Sequence, residues 1–343
     1  MRSRALGLAL GFVADEIFGD PQRFHPVAGF GQLAAAVEHR MYADDRLRGV
    51  AHSALLAGSA GLLGLAADSL SVRRPVLNAV LTAAATWAVL GGRSLGREAD
   101  AVHDFLEAGE IAAAREQLTH LVGRDTSGLD ESEVSRATIE SVAENSSDAV
   151  VAPLLAGAVG GIGGLLAYRA ANTLDAMVGH HNTRYENFGW ASARLDDVLN
   201  VPASRLSAAL ATVLAPTIGG QPANAWRVWR RDAKRHPSPN AGPVEASFAG
   251  AMNVTLGGVN RYGERLEDRH TLGDGPPATA KDIEKSVTLA RNVGIGATVV
   301  AALIVLRKHQ VHNPVGVTFG SGFTSKSDPN VTPSGFGTTR RRL

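Results

Sequence analysis

Between Arg136 and Asn200 two dense polar clusters, RATIESVAENSSDAVVAP and YRAANTLDAMVGHHNTRYENFGWASARLDDVLN, flank the almost uncharged run AGAVGGIGGLLA. Acids, amides and arginines beside a segment apolar enough for a bilayer are costly to place and mark functional positions. The run therefore constrains the fold sharply. If it crosses a membrane once, its two polar flanks end on opposite sides. If both flanks serve one site, it must be a buried or re-entrant helix, and four glycines in GGIGG suit irregular backbone that protein covers.

Counting this run, apolar segments recur at Ala5–Phe18, Val50–Ala67, Pro75–Gly91, Ala149–Tyr168, Val201–Gly220 and Val293–Leu306, several near the roughly twenty residues a span requires. Val50–Ala67 and Pro75–Gly91 read as a helical hairpin turning at Arg73 and Arg74. Composition agrees: 45% of residues are hydrophobic, 20% charged and 5% aromatic, and the 38 glycines fit close helix packing in lipid. The expected fold is all-α, a polytopic membrane helical bundle whose polar helical loops form a membrane-surface site. Two polar regions, Gly92–Asp148 and Gln221–Asn292, read as its soluble parts. Residues 1–306 form one integral membrane domain in this reading, and 307–343, rich in Gly, Ser, Thr and Pro without apolar period, read as a disordered tail. The basic start and short apolar run of MRSRALGLALGFVADEIFGDP lack a small-residue cleavage pattern before the acids, which reads as a retained first helix.

A formal net charge of +1, with basic residues dispersed, argues against nucleic acid as a partner. The absence of cysteine excludes thiolate metal sites and cysteine nucleophiles, so any metal must be held by oxygen or imidazole. No phosphate-binding GxxxxGK[ST], HExxH, GxSxG or Rossmann glycine pattern occurs.

The clusters carry several constellations. Glu140, Glu144 and Asp148 recur every fourth residue and share a helix stripe, with Ser141 and Asn145 beside them. A solvated face is the plain alternative, but the helix runs straight into AVVAPLLAG. A hard cation such as Mg²⁺ suits carboxylates and amides so placed. Arg169 and Asn172 share a face, with Asp175 a turn further. Arg169 either snorkels beside a capped helix end or holds a carboxylate or phosphate with two prongs. Arg194 and Asp197 stand three apart, as an intrahelical ion pair would, which leaves Asp196 for a metal or substrate. GDPQRFHPV sets Asp20 and His25 after the first helix, where the prolines also suit a rigid exit. RDAKRHPSPNAG gives Arg230, Arg231, Lys234, Arg235 and His236 before a stiff turn with Asn240, which suits an anionic ligand or a lipid headgroup surface.

Together and in this order, GDPQRFHPVAGFG, LVGRDTSGL, ATIESVAENSSDAVVAPLL, YRAANTLDAMVGHHNTRYENFGWASARLDDVLN and RHPSPNAGPVEASFAGAMNVTLGG resemble the adenosylcobinamide-phosphate synthase family of cobalamin biosynthesis, the CobD/CbiB family of integral membrane proteins. The resemblance reaches Leu306. It implies ATP-dependent amide formation between a propionate carboxyl of adenosylcobyric acid, a corrinoid, and the amine of aminopropanol or its phosphate. Activation of the carboxylate as an acyl phosphate would call for Mg²⁺ and cations around the transferring group.

On that resemblance Glu140, Glu144 and Asp148 with Asp196 or Asp197 hold Mg²⁺. Arg169 and Arg194 bind phosphates, helped by Asn172 and Asn240; Asn145 joins the reacting centre, and His25 or His236 is the base. It also implies a multi-pass protein of the cell membrane, polar motifs facing cytoplasmic ATP, with late enzymes of the same pathway as possible partners. A transporter or scaffold for corrinoid intermediates is the rival reading. Two positions depart from the family's usual pattern: Ser204 separates Ala203 from Arg205, and Pro243 replaces an aromatic residue.

Overall fold

A computed structural model describes residues 2–20, 25–180, 182–262 and 265–312. The chain begins with α1 (Arg2–Phe18), α2 (Pro26–Met41), α3 (Arg46–Ser71), α4 (Pro75–Val89), α5 (Gly92–Glu107) and α6 (Ile111–Leu118). It continues with α7 (Glu131–Ser146), a π-helical turn (Ser147–Val151), α8 (Ala152–Val178), α9 (Trp190–Leu214), α10 (Pro222–Asp232) and α11 (Ala241–Met252). The strands β1 (Leu256–Tyr262) and β2 (Arg265–Leu272) precede α12 (Ala280–His312). Every expected apolar segment lies in or overlaps a helix. The helix starts follow local chemistry: Asp45 accepts from the Arg48 amide at 3.0 Å, Asp130 and Glu133 form a reciprocal capping box, and Pro75 and Pro222 open α4 and α10. The region expected as a tail begins inside α12, which continues to His312; the rest of it, 313–343, lies outside the described residues, as do residues 21–24 of the first polar loop.

Among the described residues, five helical stretches are long and apolar enough to cross a membrane: Arg46–Ser71, Pro75–Glu107, Glu131–Val178, Trp190–Ile218 and Ala280–Arg307. Leu62, Leu63 and Leu70 on α3, Val76 and Val80 on α4, and Ile295, Val299 and Leu303 on α12 all point outward. Apolar stripes of this kind suit lipid, not water. The bundle is thus the polytopic helical architecture expected from the sequence. As expected, α3 and α4 form a hairpin, although α3 packs chiefly on α8 and α4 on α1.

The third apolar stretch reverses. Gly161 adopts φ 66° and ψ −148°, a conformation reserved for glycine, and splits α8 into two arms. A Cβ at Gly164 would run into the Ala156 carbonyl, one at Gly157 would meet the Leu165 side chain at 2.9 Å, and the Tyr168 hydroxyl lies 3.0 Å from the Asp148 carbonyl. In a straight helix residues so far apart in sequence could not touch. From Asp148 to Gly161 the first arm is about 20 Å long at 1.5 Å per residue, short of a ~30 Å hydrocarbon core. The glycine-rich run is therefore a re-entrant hairpin. The second arm lies on α3, where a Cβ at Gly64 would come within 2.6 Å of the Gly163 backbone.

Two features of Gln221–Asn292 go beyond its polar composition. All twelve residues of α11 are buried, making AGPVEASFAGAM the centre of a cap over α7, α9 and α10. Beside it β1 and β2 pair antiparallel, Leu256 opposite Leu272, with an irregularity between Gly257 and Val259. This hairpin is the one departure from an all-helical chain among the described residues. The main core joins α1, α5, α7 to α12 and the strands through residues such as Leu8, Ile139, Leu165 and Phe248, and a smaller core of Ala34, Leu56, Ala57 and Leu174 joins α2, α3 and α8.

Candidate active site

Because α8 doubles back, its two polar flanks meet. A cavity of about 120 Å³ is lined by Glu144, Ser147, Asp148, Asp175, Asp196 and Asp197, with Asn200, Ser238 and Asn240 closing it. The acids come from α7, the π-helical turn, the end of α8 and the start of α9. Side-chain amides fix Asp196: Asn172 donates to Oδ1 at 3.1 Å and Asn200 to Oδ2 at 2.8 Å. The Asn200 carbonyl oxygen is itself 2.7 Å from the Tyr168 hydroxyl, which ties the second arm of α8 to α9. Asn240 donates to the Asp197 carbonyl at 2.8 Å and so brings the HPSPNAG turn to the same wall.

The donors are all hard oxygens, as a Mg²⁺ site requires, and the buried Ser147 hydroxyl lacks a hydrogen-bond partner among the described residues. The oxygens are not gathered as a ready-made site. Among the described residues no three acids or histidines stand at metal-holding distances. The residue types fit a hard cation; their present spacing does not yet coordinate one.

Glu140 does not join this cavity. Its Oε2 lies 3.2 Å from Arg124 Nη2, its Oε1 is 3.7 Å from Arg136 Nη1 and accepts the Gly257 amide at 2.8 Å. The Glu140 and Arg124 side chains are each about 4% exposed, so this carboxylate is buried and matched by cations. Arg136 stands one helical turn before Glu140, so a basic residue does flank the stripe. Glu140, Glu144, Asn145, Arg124 and Arg269 line a second cavity of about 170 Å³, and Glu144 faces both. Asn145 turns back, donating to the Ser141 carbonyl at 2.9 Å.

On the other side of the HPSPNAG turn, Arg205, Trp229, Arg230, Lys234, His236 and Pro243 line a groove of about 490 Å³ that holds no carboxylate. Arg205 links groove to acid cavity, since its Nη1 donates to Asn240 Oδ1 at 2.8 Å. The serine that shifts Arg205 from the family's usual pattern also donates to Asn240, at 3.2 Å.

The remaining expected residues fall elsewhere. Arg169 sits behind the acid cavity, within electrostatic reach of Asp148, Asp20 and Asp15, with Nη1 3.4 Å from Asn172 Oδ1 and a buried Nε that has no hydrogen-bond partner among the described residues. Arg194, expected to bind phosphate, has a side chain 68% exposed and 3.8 Å from Asp197 Oδ2, the intrahelical pair that its spacing left as the alternative, and it does not line the acid cavity. His25 caps α2, its Nδ1 accepting from the Val27 amide at 3.1 Å, with Nε2 3.7 Å from Asp20. His236 is 1% exposed; Ser238 N–H lies 3.1 Å from its Nδ1 and Glu245 3.6 Å from its Nε2. Neither histidine lines the acid cavity. Glu245, wholly buried on α11, has its carboxyl pushed well above the usual range by burial and by the Glu140 and Glu144 charges, with Arg269 3.8 Å away opposing. Asp175, Asn200 and Ser147 join the site without having been given roles. Their signal in the sequence was their place in the two clusters that the hairpin brings together.

Residues 8–290 match the CobD/Cbib protein family. A protein of Mycobacterium tuberculosis named "Cobalamin biosynthesis protein CobD" is 49% identical over 308 residues, covering 90% of this chain and 97% of its own length. A protein of the same name from Chromobacterium violaceum is 43% identical over 312 residues, covering 88% of this chain and 97% of its own. Another from Halalkalibacterium halodurans is 38% identical over 305 residues, at 87% and 96%. No solved structure matches. The motifs that build the acid cavity and the groove fall inside the matched span, and on a match of this extent the chain belongs to the CobD/Cbib protein family.

Proposed function

We propose that this protein acts in cobalamin biosynthesis by joining a propionate carboxyl of adenosylcobyric acid to aminopropanol or its phosphate at the expense of ATP. One observation carries this reading: a cavity of five carboxylates adjoins a carboxylate-free basic groove, with Asn240 and Arg205 at their boundary. Amide formation of this kind needs both environments. The propionate oxygen attacks the terminal phosphorus of ATP and ADP leaves. The amine nitrogen then attacks the acyl carbon, phosphate departs with the broken C–O bond, and the amine gives up a proton.

Arg205, Arg230 and Lys234 are placed to bind phosphoryl oxygens in the groove, and the rigid prolines around them limit the cost of ordering it. Asp148, Asp175, Asp196 and Asp197, with Glu144, make the cavity acidic enough to attract the substrate ammonium, and Asp175 is the carboxylate left to accept its proton. Of these, Asp196 is oriented by Asn172 and Asn200, which keeps its geometry through the reaction. The residues that would hold Mg²⁺ are Glu144, Asp148, Asp196 and Asp197. When bound, that ion would neutralise charge on the transferring phosphoryl group. Arg169, partly unpaired behind the cavity, suits a role in balancing its negative charge. Neither His25 nor His236 serves as the base in this reading, because the ring nitrogens of each face other groups.

The test is conversion of adenosylcobyric acid by purified protein in detergent, followed by mass spectrometry with each amine donor, together with ATP consumption. One ATP consumed per amide formed supports the reading. Binding of corrinoid without any product, at saturating ATP and amine, would instead favour a transport or scaffold role. Cytoplasmic placement of the groove is part of the proposal: in this cysteine-free chain Lys234→Cys should resist an impermeant thiol reagent applied outside intact cells.

A further inference from the structure

The tip of the α8 hairpin is held by residues outside both polar clusters. Asp68, near the end of α3, accepts the Ile162 amide on Oδ2 at 2.8 Å, capping the second arm directly after the Gly161 break. Its other oxygen lies 3.7 Å from Arg4 Nη2 on α1 and 3.5 Å from Asn78 Nδ2 on α4. Asn78 in turn accepts from Ser3 at 2.9 Å and donates to Ser71 at 3.0 Å. Four helices are thus tied to one carboxylate at the hairpin tip. A Cβ on Gly161 would collide with the Asp68 carboxylate and stand 2.6 Å from Arg4 Nη2, so backbone and network fit each other closely.

An acid and an arginine at the end of such apolar helices are costly unless they do something. The cap meets an orphan amide and the partial positive charge of a helix start in one contact. Its consequence reaches the far end of both arms. The first arm delivers Ser147 and Asp148, the second delivers Asp175, and Tyr168 and Asn172 tie the second to Asn200 and Asp196 on α9. No other polar side chain among the described residues caps the second arm at its break.

We infer that Asp68 is a positioning residue that pins the tip of the re-entrant hairpin and thereby sets the spacing of the carboxylates about 20 Å away along the arm. It touches no reacting group in this assignment. Small shifts of a catalytic constellation cost on the order of 10²-fold in rate, so an unpinned tip should lower turnover while leaving substrate KM nearly unchanged. The turnover readout rests on the proposed amide synthesis; the hairpin readout does not.

The absence of cysteine makes disulfide trapping free of background. Gly61 and Ala167 face each other across α3 and the second arm, an added Cβ on Gly61 lying 3.2 Å from that of Ala167, close to the spacing of a disulfide. The Gly61→Cys/Ala167→Cys protein should cross-link readily. Adding Asp68→Ala should cut the cross-linking rate several-fold and turnover by roughly 10²-fold. Asp68→Asn keeps an acceptor for the Ile162 amide and should restore both to near parental levels. Gly161→Ala attacks the same contact from the other side and supplies the second test if Asp68→Ala does not accumulate; it should slow cross-linking as Asp68→Ala does. Unchanged cross-linking in Asp68→Ala, or Asn behaving as badly as Ala, overturns the inference. If cross-linking follows this pattern while no variant or parent makes amide, the proposed reaction falls and the positioning role stands.

Discussion

Glu140 and Asp148 occupy the two ends of one stripe of acids, yet their surroundings are opposite. At the first end Arg124, Arg136 and a backbone amide from β1 surround the carboxylate. At the second, Asp148 meets Glu144, Asp175, Asp196 and Asp197 across a small cavity whose lining contains no arginine, lysine or histidine. The difference separates what the two ends do. A matched buried charge holds structure together, whereas a group of like charges is tolerated where a cationic ligand is to come. The π-helical turn at Ser147–Val151 adds to the separation by re-aiming Asp148 relative to the α-helical spacing before it.

The largest effect should come from breaking the matched end. Glu140→Gln removes the buried anion that Arg124 and Arg136 face and should cost about 3–5 kcal/mol of stability, read as a drop in detergent unfolding temperature, with activity per folded molecule kept. Asp196→Ala should do the converse. Its unfolding temperature should stay close to the parent's while amide formation falls roughly 100-fold. If the two variants exchange phenotypes, the contrast between the ends is wrong. A smaller change is expected at the groove: Arg230→Ala with Lys234→Ala should raise the KM of the phosphorylated substrate about tenfold, the order of one or two charge-assisted hydrogen bonds, and this loss should shrink with added salt. Arg194→Ala removes only an exposed i,i+3 pair and should change stability by about 0.5 kcal/mol or less, with activity unaltered.

The smallest effect concerns the tether of α10. Arg231 and Arg227 hold the Asp274 carboxyl at about 2, below its ordinary 3.8. A depressed acid contributes stability above its unfolded value, and loses that contribution as pH falls from near 3.8 towards 2. Asp274→Asn should therefore flatten the acid limb of thermal stability in that window and change nothing near neutrality. An unchanged acid limb would remove the tether from consideration.

Much of this was legible in the sequence. The apolar segments and the hairpin at Arg73 and Arg74 follow from periodicity, and the Arg194–Asp197 pair and a reversal at GGIGG are among the alternatives that the polar clusters leave open. What was not legible depends on partners distant in sequence. Arg124 and the Gly257 amide, which claim Glu140, come from a loop and from a strand that no local pattern announces. The same holds for α11: it lies in a region read as polar, yet α7, α9 and α10 cover all twelve of its residues. His25 reads as part of a rigid exit or as the base, and its place before Pro26 makes it a cap of α2. Spacing identified which side chains share a face; only packing decided which of those faces meets a cation.

Binding of Mn²⁺, a paramagnetic substitute for Mg²⁺, tests the central contrast without relying on turnover. Electron paramagnetic resonance of purified protein, titrated with Mn²⁺ in the presence of a non-hydrolysable ATP analogue, should show a bound ion in the parent and in Glu140→Gln, and none in Asp148→Asn or Asp196→Asn. Binding that survives loss of Asp148 and Asp196 but disappears with Glu140 would contradict the assignment of the carboxylate cavity.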